Sequence, residues 1–517
     1  MNFFSKLTTL GRLVLVVLVV AIIGGAVMLV GKNTDIKMPS FGAIGGSNDG
    51  DYDAVLLVDT YTGWSPIVWG NGGKEGSEES YFYKKFGVKL KIIQMDDFDG
   101  ATSYWKENEN ALRFCTLDSY PVEASSSGTM TDARYFVIHN FSAGADAIMA
   151  TKNIKTVADL KGKTIVCSEG TASHSLLLNT LDAAGLTGKD VKIITTGYGA
   201  DVATAFKAGT ADAAVVFCPD DDACIKDGPA GTHVLVSTKQ TNTLVTDGFL
   251  AHANWLEKNA DKASKIAEAL MWANSEMSKP DVYKEICKKF SEEFDVPLED
   301  VLTVGEKINF ATLEDNINWF GLNTSYKGIT GETLYTKMSQ VYGSLGLAKV
   351  TLPWRKISEV SIIESLISNN SLDNDQKAKG TVERKFAAPT QEVVNTESFS
   401  DKQVIIEFPV DGSALSPDAE TLVEREFLSV IKQFNNTYVR IEGNTDNTGE
   451  YKHNVTLSKS RAQSVANYLV KQGVDVNRLI VVGNGPDHAI KDGVKGSNQK
   501  YRTTSMQLVQ KLSLIHI

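Results

Sequence analysis

The chain has 517 residues, enough for about three domains. Its residues are 42% hydrophobic and 22% charged, the balance of folded protein, which excludes long disorder as the default. A net charge of -11 argues against a nucleic-acid partner and an anionic membrane surface, so any anion site must be local. The five cysteines, Cys115, Cys167, Cys218, Cys224 and Cys287, form no Cys-x-x-Cys pair, which argues against a zinc site. Cys218 and Cys224 could pair in an oxidising compartment; the alternative for most of the five is burial as small apolar side chains.

Residues 13–30 are uninterruptedly apolar, at the lower end of what spans a bilayer. Lys6 and Arg12 precede them, so the basic N-terminus is expected in the cytoplasm and the rest outside. A cleavable signal peptide is the alternative, but its apolar core runs to about 7–15 residues and ends in an Ala-x-Ala-like site, whereas this run is longer and ends Val27-Met-Leu-Val30-Gly-Lys-Asn, a poor cleavage site. No ionisable residue lies within 13–30, so the span reads as a tether and not as a proton-carrying motor element. Residues 1–31 are thus a cytoplasmic N-terminus with an anchor. Residues 32–52, rich in Gly, Ser and Asn, read as a flexible stalk.

From 53 to 355 strand-like and helix-like stretches alternate. Residues 54–58 make a short apolar strand, Thr60-Tyr-Thr-Gly-Trp64 a turn, and Ser65 with Pro66 a helix start. Strands at 164–167, 191–195 and 213–217 bracket helices at 175–184 and 201–208, an order that implies a parallel sheet covered by helices. Gly170-Thr-Ala-Ser173 sits at a helix entrance. Small residues there allow close approach, and free N–H groups with the helix dipole attract an anion; a simple cap is the alternative.

Residues 356–402 are polar and read as a linker, with a short docked helix near 357–367. Residues 403–511 end the folded chain, and 512–517 fit no domain ending. Within them, residues 438–441 read as a strand. Gly443 and Gly449 bracket a loop carrying Asp446, and Leu457, Arg461, Val465 and Leu469 recur every fourth residue on one helix face. One carboxylate at a strand end with one guanidinium on the next helix suits a zwitterionic ligand, ammonium on Asp446 and carboxylate on Arg461. A structural ion pair is the alternative.

The stretch Gly443-Asn-Thr-Asp446 with Asn454-Val-Thr-Leu-Ser458-Lys-Ser-Arg461-Ala462 resembles the OmpA-like peptidoglycan-binding domain. The resemblance implies that Asp446 and Arg461 hold the diaminopimelate of the wall peptide, with Thr445, Asn454 and Arg502 beside them. Asn444 replaces the usual His, and Tyr501-Arg502-Thr503 stands where Asn-Arg-Arg is usual. The segments 157–165, Gly170–His174, 205–209 and 212–215 are similar to type-2 periplasmic solute-binding proteins, nearest the branch serving importers of sulfonates, taurine, nitrate and thiamine precursors. That likeness implies two α/β lobes closing on a solute. It places Thr62, Gly63 and Trp64, then Ser142, Gly144 and Ala145, then Thr171, Ala172 and Ser173 around the cleft. Trp64 and Trp69 are candidates to wall it, against the alternative of core packing.

The expected architecture is therefore α/β: a transmembrane helix, a two-lobed type-2 periplasmic-binding-protein domain, then a small α+β OmpA-like domain. The expected function is a single-pass inner-membrane protein with its bulk in the periplasm, holding a small, anionic solute and binding peptidoglycan non-covalently. Its expected partners are that solute, peptidoglycan, the inner membrane, and an ABC permease or envelope complex. A structural tether with a non-binding middle domain is the alternative. His139 and His174 have no Cys or Asp partner at motif spacing, and no nucleotide or metalloprotease motif occurs, so neither catalysis nor a cofactor nor a metal is expected.

Overall fold

The computed structural model describes residues 52–127, 130–197, 199–369, 385–409 and 411–510. The predicted span at 13–30, the stalk up to residue 51, and the tail at 512–517 lie outside the described residues. Among the described residues no helix is long and apolar enough to cross a membrane.

The first strand, β1 (Ala54–Val58), is Ala-Val-Leu-Leu-Val and buried at every position, because helices cover both faces of its sheet. Burying each such aliphatic side chain contributes about 1.5–3 kcal/mol. It pairs in parallel with β2 (Leu90–Gln94) and β3 (Ala111–Thr116). The sheet continues through β4 (Ala133–Ser142), which carries the chain into a second lobe. That lobe holds β5 (Asp146–Ala150), β6 (Thr164–Cys167), β7 (Lys192–Thr195), β8 (Ala213–Phe217) and β9 (His233–Ser237). The chain returns through β10 (Thr246–His252) and later adds β11 (Ile308–Phe310). The two sheets run β11-β4-β10-β3-β1-β2 and β7-β6-β8-β5-β9.

The three strands that the alternating pattern assigned to a parallel sheet, β6, β7 and β8, do pair in parallel, but neither sheet is parallel throughout. β10 runs antiparallel to β3 and β4, and β5 runs antiparallel to β8 and β9. The cause is the double crossover: strands that enter or leave a lobe insert beside the parallel set in the opposite sense. The expected elements are otherwise found close to their places, with the helix after Gly170 running Ala172–Asp182 and the next Ala200–Lys207. Helices Ala260–Glu276 and Pro280–Phe294 pack on Ser65–Gly70 and close the first lobe. All five cysteines are buried and free.

The stretch expected as linker is partly structured. Helix Ser361–Asn369 packs on Ala260–Glu276, where the Ser264 and Ser365 hydroxyls meet at 2.7 Å. Further on, β12 (Ser400–Val404) joins the third sheet, in order β12-β15-β13-β14, with β13 (Tyr438–Asn444), β14 (Leu479–Gly485) and β15 (Thr504–Val509). Helix Tyr451–Lys471 lies across β13 and β14. It comes so close at Gly443 that an added Cβ would sit 2.1 Å from the Ser458 carbonyl oxygen, so only glycine fits there.

The third sheet is seated on the second lobe. Phe399 accepts from the Val157 N–H at 2.9 Å, and the Ser400 hydroxyl donates to the Ala183 carbonyl at 2.5 Å. Lys402, 6% exposed, bridges Asp182 at 2.9 Å and Glu426 at 3.1 Å, while Lys337 takes the other Asp182 oxygen at 2.9 Å. One carboxylate between two ammonium groups compensates the buried charges, which would be costly alone.

Candidate functional site

Two places bring the predicted residues together. The first is a cavity of about 770 Å³ lined by residues of both lobes. At the C-terminal end of β1 the chain turns through Asp59, Thr60 and Tyr61 into a short helical turn, Thr62–Trp64. The Trp64 indole N–H donates to Asp59 at 2.7 Å, and Asp96 fixes the turn by accepting from the Thr60 N–H and hydroxyl at 2.6 and 3.0 Å. From the second lobe, Thr171 caps helix Ala172–Asp182, its hydroxyl donating to the Ser168 carbonyl at 2.8 Å. Gly170, at φ +75, makes the bend, and its N–H donates to His174 Nδ1 at 3.2 Å. His174 is thus a buried helix-start residue. Burial holds its imidazole down to about 4, so it is neutral at neutral pH.

Of the expected cleft residues, Thr62, Trp64, Ala145, Thr171, Ala172 and Ser173 line the cavity. Gly63, Ser142 and Gly144 do not. Gly63 packs under Tyr61 and Asn140. The Ser142 hydroxyl and the Gly144 N–H are both taken by the Thr238 hydroxyl, at 2.7 and 2.8 Å, in the crossover between the lobes. Trp69 also turns away, stacking on Tyr81 at 4.5 Å and Trp272 at 5.6 Å.

The sequence reading missed the cavity's dominant charge. Carboxylates line it from both lobes: Asp59, Asp96, Asp97, Asp99, Glu123, Asp247 and Asp300 from the first, Asp146 and Glu169 from the second. No lysine, arginine or histidine lines it among the described residues. The expected anionic solute therefore meets no side-chain cation here. The helix entrance at Thr171–Ser173 is present, but Glu169 stands beside it. Burial pushes the Asp59 carboxyl up to about 6 against the pull of the Trp64 hydrogen bond, and Asp96 adds to the rise. Burial likewise pushes Asp146 up to about 6, with the Ser142 hydroxyl opposing and Asp221 adding. Burial drives Asp247 well above the usual carboxylate range, and Asp59, Asp118 and Asp146 add to it. Asp118, fully buried behind them, rises to about 7 by burial, offset in part by the Ser175 hydroxyl.

These carboxyls keep their protons longer in the fold than in the unfolded chain, where an aspartate titrates near ~3.9. Below about pH 4 both states are protonated and no penalty arises. Between about pH 4 and 7 the unfolded aspartates are already ionised while Asp59, Asp146 and Asp118 still hold their protons in the dry fold. Stability therefore falls from about pH 4 until pH passes the folded values of about 6–7, and levels off above them. The expected result is a lower melting temperature at pH 8 than at pH 5. Asp118→Asn should flatten that slope and stabilise the protein at pH 8 by about 1–4 kcal/mol, measured by denaturant titration at both pH values.

The second place is the end of β13. Asp446 is 6% exposed. Its Oδ2 accepts from Arg502 Nε at 2.8 Å and from the Asn498 N–H at 3.1 Å, and its Oδ1 accepts from the Thr448 hydroxyl. Burial opposes ionisation, but those three donors hold the carboxyl below its usual range. Asn454 fixes the same loop by donating to the Thr448 carbonyl at 2.8 Å, and the Thr445 N–H donates to Gly485 at 2.8 Å. Arg461 does not pair with Asp446, so the alternative of an Asp446–Arg461 structural ion pair is not realised. Arg461 donates instead to the carbonyls of Gly412 at 3.0 Å and Pro409 at 3.3 Å, and it lies 5.0 Å from the Phe408 ring centre. Burial and the neighbouring Arg502 make its charge costlier, with Asp411 and Asp446 opposing that effect. Two guanidiniums and one carboxylate thus share one surface.

Residues 77–281 match the NMT1/THI5 like family, and residues 407–503 match the OmpA family. The chain joins an NMT1/THI5-like domain to a C-terminal OmpA domain. The NMT1/THI5-like part is similar to the "Putative aliphatic sulfonates-binding protein" of Escherichia coli (strain K12), 34% identical over 146 residues, or 28% of this chain and 44% of that protein. The OmpA part is similar to the peptidoglycan-associated lipoprotein of Pseudomonas putida, 34% identical over 86 residues, or 17% of this chain and 51% of that protein. The chain thus spans about half the length of these relatives. Among solved structures, the periplasmic aliphatic sulphonate binding protein SsuA from Escherichia coli gives a TM-score of 0.47 at 19% identity, covering 60% of this chain and 99% of that one.

Proposed function

We propose that this protein is an envelope receptor that closes its NMT1/THI5-like domain on a small solute while its OmpA domain grips peptidoglycan. The observation that carries the reading is the pairing in one chain of a two-lobed cleft of about 770 Å³ with the carboxylate–guanidinium face around Asp446. A cavity of that size suits a metabolite-sized ligand. The relatives named for sulfonate binding and for peptidoglycan association support the two halves. On the OmpA domain, Asp446 receives the ammonium of a zwitterionic wall peptide and Arg461 its carboxylate, while Arg502, Thr445 and Asn454 hold the loop in place. The apolar run at 13–30 supports single-pass anchoring in the inner membrane with the bulk in the periplasm.

The seating of the OmpA domain on the second lobe bears on mechanism. Lys402, on the wall-binding sheet, pairs with Asp182 of the second lobe, and Lys337 joins Asp182 to Gln433 of the OmpA domain, so the cleft closes beside a lobe that is held to the wall-binding domain. This geometry favours a wall-fixed receptor, sensing or delivering to a permease, over a freely diffusing carrier. Native mass spectrometry of the full chain purified from its own envelope tests the solute half. A bound small molecule at one per chain is expected, and a chain that is always empty points to the tether reading.

A further inference from the structure

The cleft's chemistry narrows the solute, and this inference rests on the solute-binding reading above. The first lobe presents Asp59, Asp96 and Asp247, and the second presents Asp146 and Glu169. Two cations that touch lining residues are already committed, Arg113 to Glu123 and Lys307 to Asp221. Asp146 and Asp247 are 7% and 6% exposed, and the described residues give neither an ion-pair partner. Asp247 accepts one hydrogen bond, from the Thr116 hydroxyl at 2.7 Å. Carboxylates removed from water without a counter-charge are expensive, and a ligand that brings positive charge removes that cost.

The apolar part of the wall points the same way. Tyr61, Trp64, Phe98, Phe114 and Phe217 line the cavity. Aromatic faces are negative and attract an ammonium or guanidinium within about 6 Å. Such a wall also buries an apolar body. A bare metal ion is a poor fit to the same space. The group of metal-ligating side chains found among the described residues is Cys218, Asp221 and Asp222, and there the Lys307 ammonium already contacts Cys218 at 3.0 Å and Asp221 at 2.9 Å. The cavity's own carboxylates do not converge in that way.

We propose that the cleft selects an organic cation: an ammonium group facing Asp146 and Asp247, with an apolar or aromatic body against Tyr61 and Phe114. The helix entrance at Thr171–Ser173 accommodates a negative group on the same molecule, so a zwitterion also fits. The ammonium is the required element, and an anion without one is not retained.

The test is titration calorimetry at pH 7.5 on the full chain in detergent, after dialysis to strip bound solute. The probes are 2-phenylethylamine, spermidine, taurine, ethanesulfonate, benzenesulfonate and nitrate. The amine-bearing probes should bind at least about tenfold more tightly than ethanesulfonate, benzenesulfonate and nitrate. Asp247→Asn should weaken the amines by about tenfold or more, with an unchanged circular dichroism spectrum. Asp146→Asn is the second variant should that one fail to fold. An amine-free sulfonate or nitrate binding as tightly as the amines, or amine affinity unchanged in a folded variant, overturns the cation assignment and leaves a solute-binding domain standing. Silence from every probe, with no solute found by mass spectrometry, overturns the receptor reading as well.

Discussion

Asp446→Ala should abolish retention of the protein on purified peptidoglycan. The carboxylate is buried and accepts from Thr448, Asn498 and Arg502. Its removal takes away the acceptor proposed for the ligand's ammonium and leaves Arg461 and Arg502 as uncompensated neighbours. Truncating one side of a buried charge pair costs roughly 2–5 kcal/mol, so affinity should fall by at least about thirtyfold. Arg461→Ala separates the ligand's share from the loop's share. Arg461 is bonded to Gly412 and Pro409 and not to the Asp446 network, so its loss leaves that network in place. Both variants should remain folded and both should appear in the supernatant of a pull-down. Retention of both on the wall material contradicts the assignment of this face.

Arg478→Ala should unfold the OmpA domain at ambient temperature or come close to it. Arg478 is 6% exposed and pairs with no acid among the described residues. Its guanidinium donates to the carbonyls of Ile431 at 2.8 Å and Thr437 at 2.5 Å and also to that of Phe434, and it lies over the Phe386 ring at 5.5 Å. Those carbonyls close the end of helix Ser429–Gln433 and its turn into β13. Alanine would leave them buried without donors and open a cavity. Each orphaned group costs about 1–3 kcal/mol, which sums to roughly 3–5 kcal/mol after relaxation. Urea titration followed by near-ultraviolet dichroism measures this directly. Arg478→Lys should recover only part of the loss, since a single ammonium cannot reach carbonyls spread in a fork.

The features legible in the sequence were local. β1, β6 and β8 are continuous apolar runs, and the helix after Gly170 follows a small-residue turn that glycine makes possible. Asp446 and Arg461 were legible because their spacing falls within one strand–loop–helix unit. Arg502, the residue that pairs with Asp446, was named only by resemblance, since β15 brings it back from far along the chain. The antiparallel insertions of β5 and β10 were invisible for a related reason: strand direction depends on which lobe the chain has just left.

The acidic cleft was hidden most completely. Asp59, Asp146 and Asp247 each stand alone at a strand end or start, where a single aspartate looks like an ordinary turn residue. Only the two crossovers bring them to one cavity. Thr238 shows the same limit. It occupies Ser142 and Gly144, two residues that the pattern assigned to the solute. The third sheet's seat on the second lobe depends on Lys402, which reads in sequence as one more charge in a polar stretch.

Co-sedimentation of the full chain with purified sacculi, followed by mass spectrometry of what the pelleted protein releases on denaturation, tests the central claim most directly. The account predicts that the protein pellets with the wall material and gives up one small, ammonium-bearing organic solute per chain. A protein that stays in the supernatant, or one that pellets and releases nothing, contradicts it.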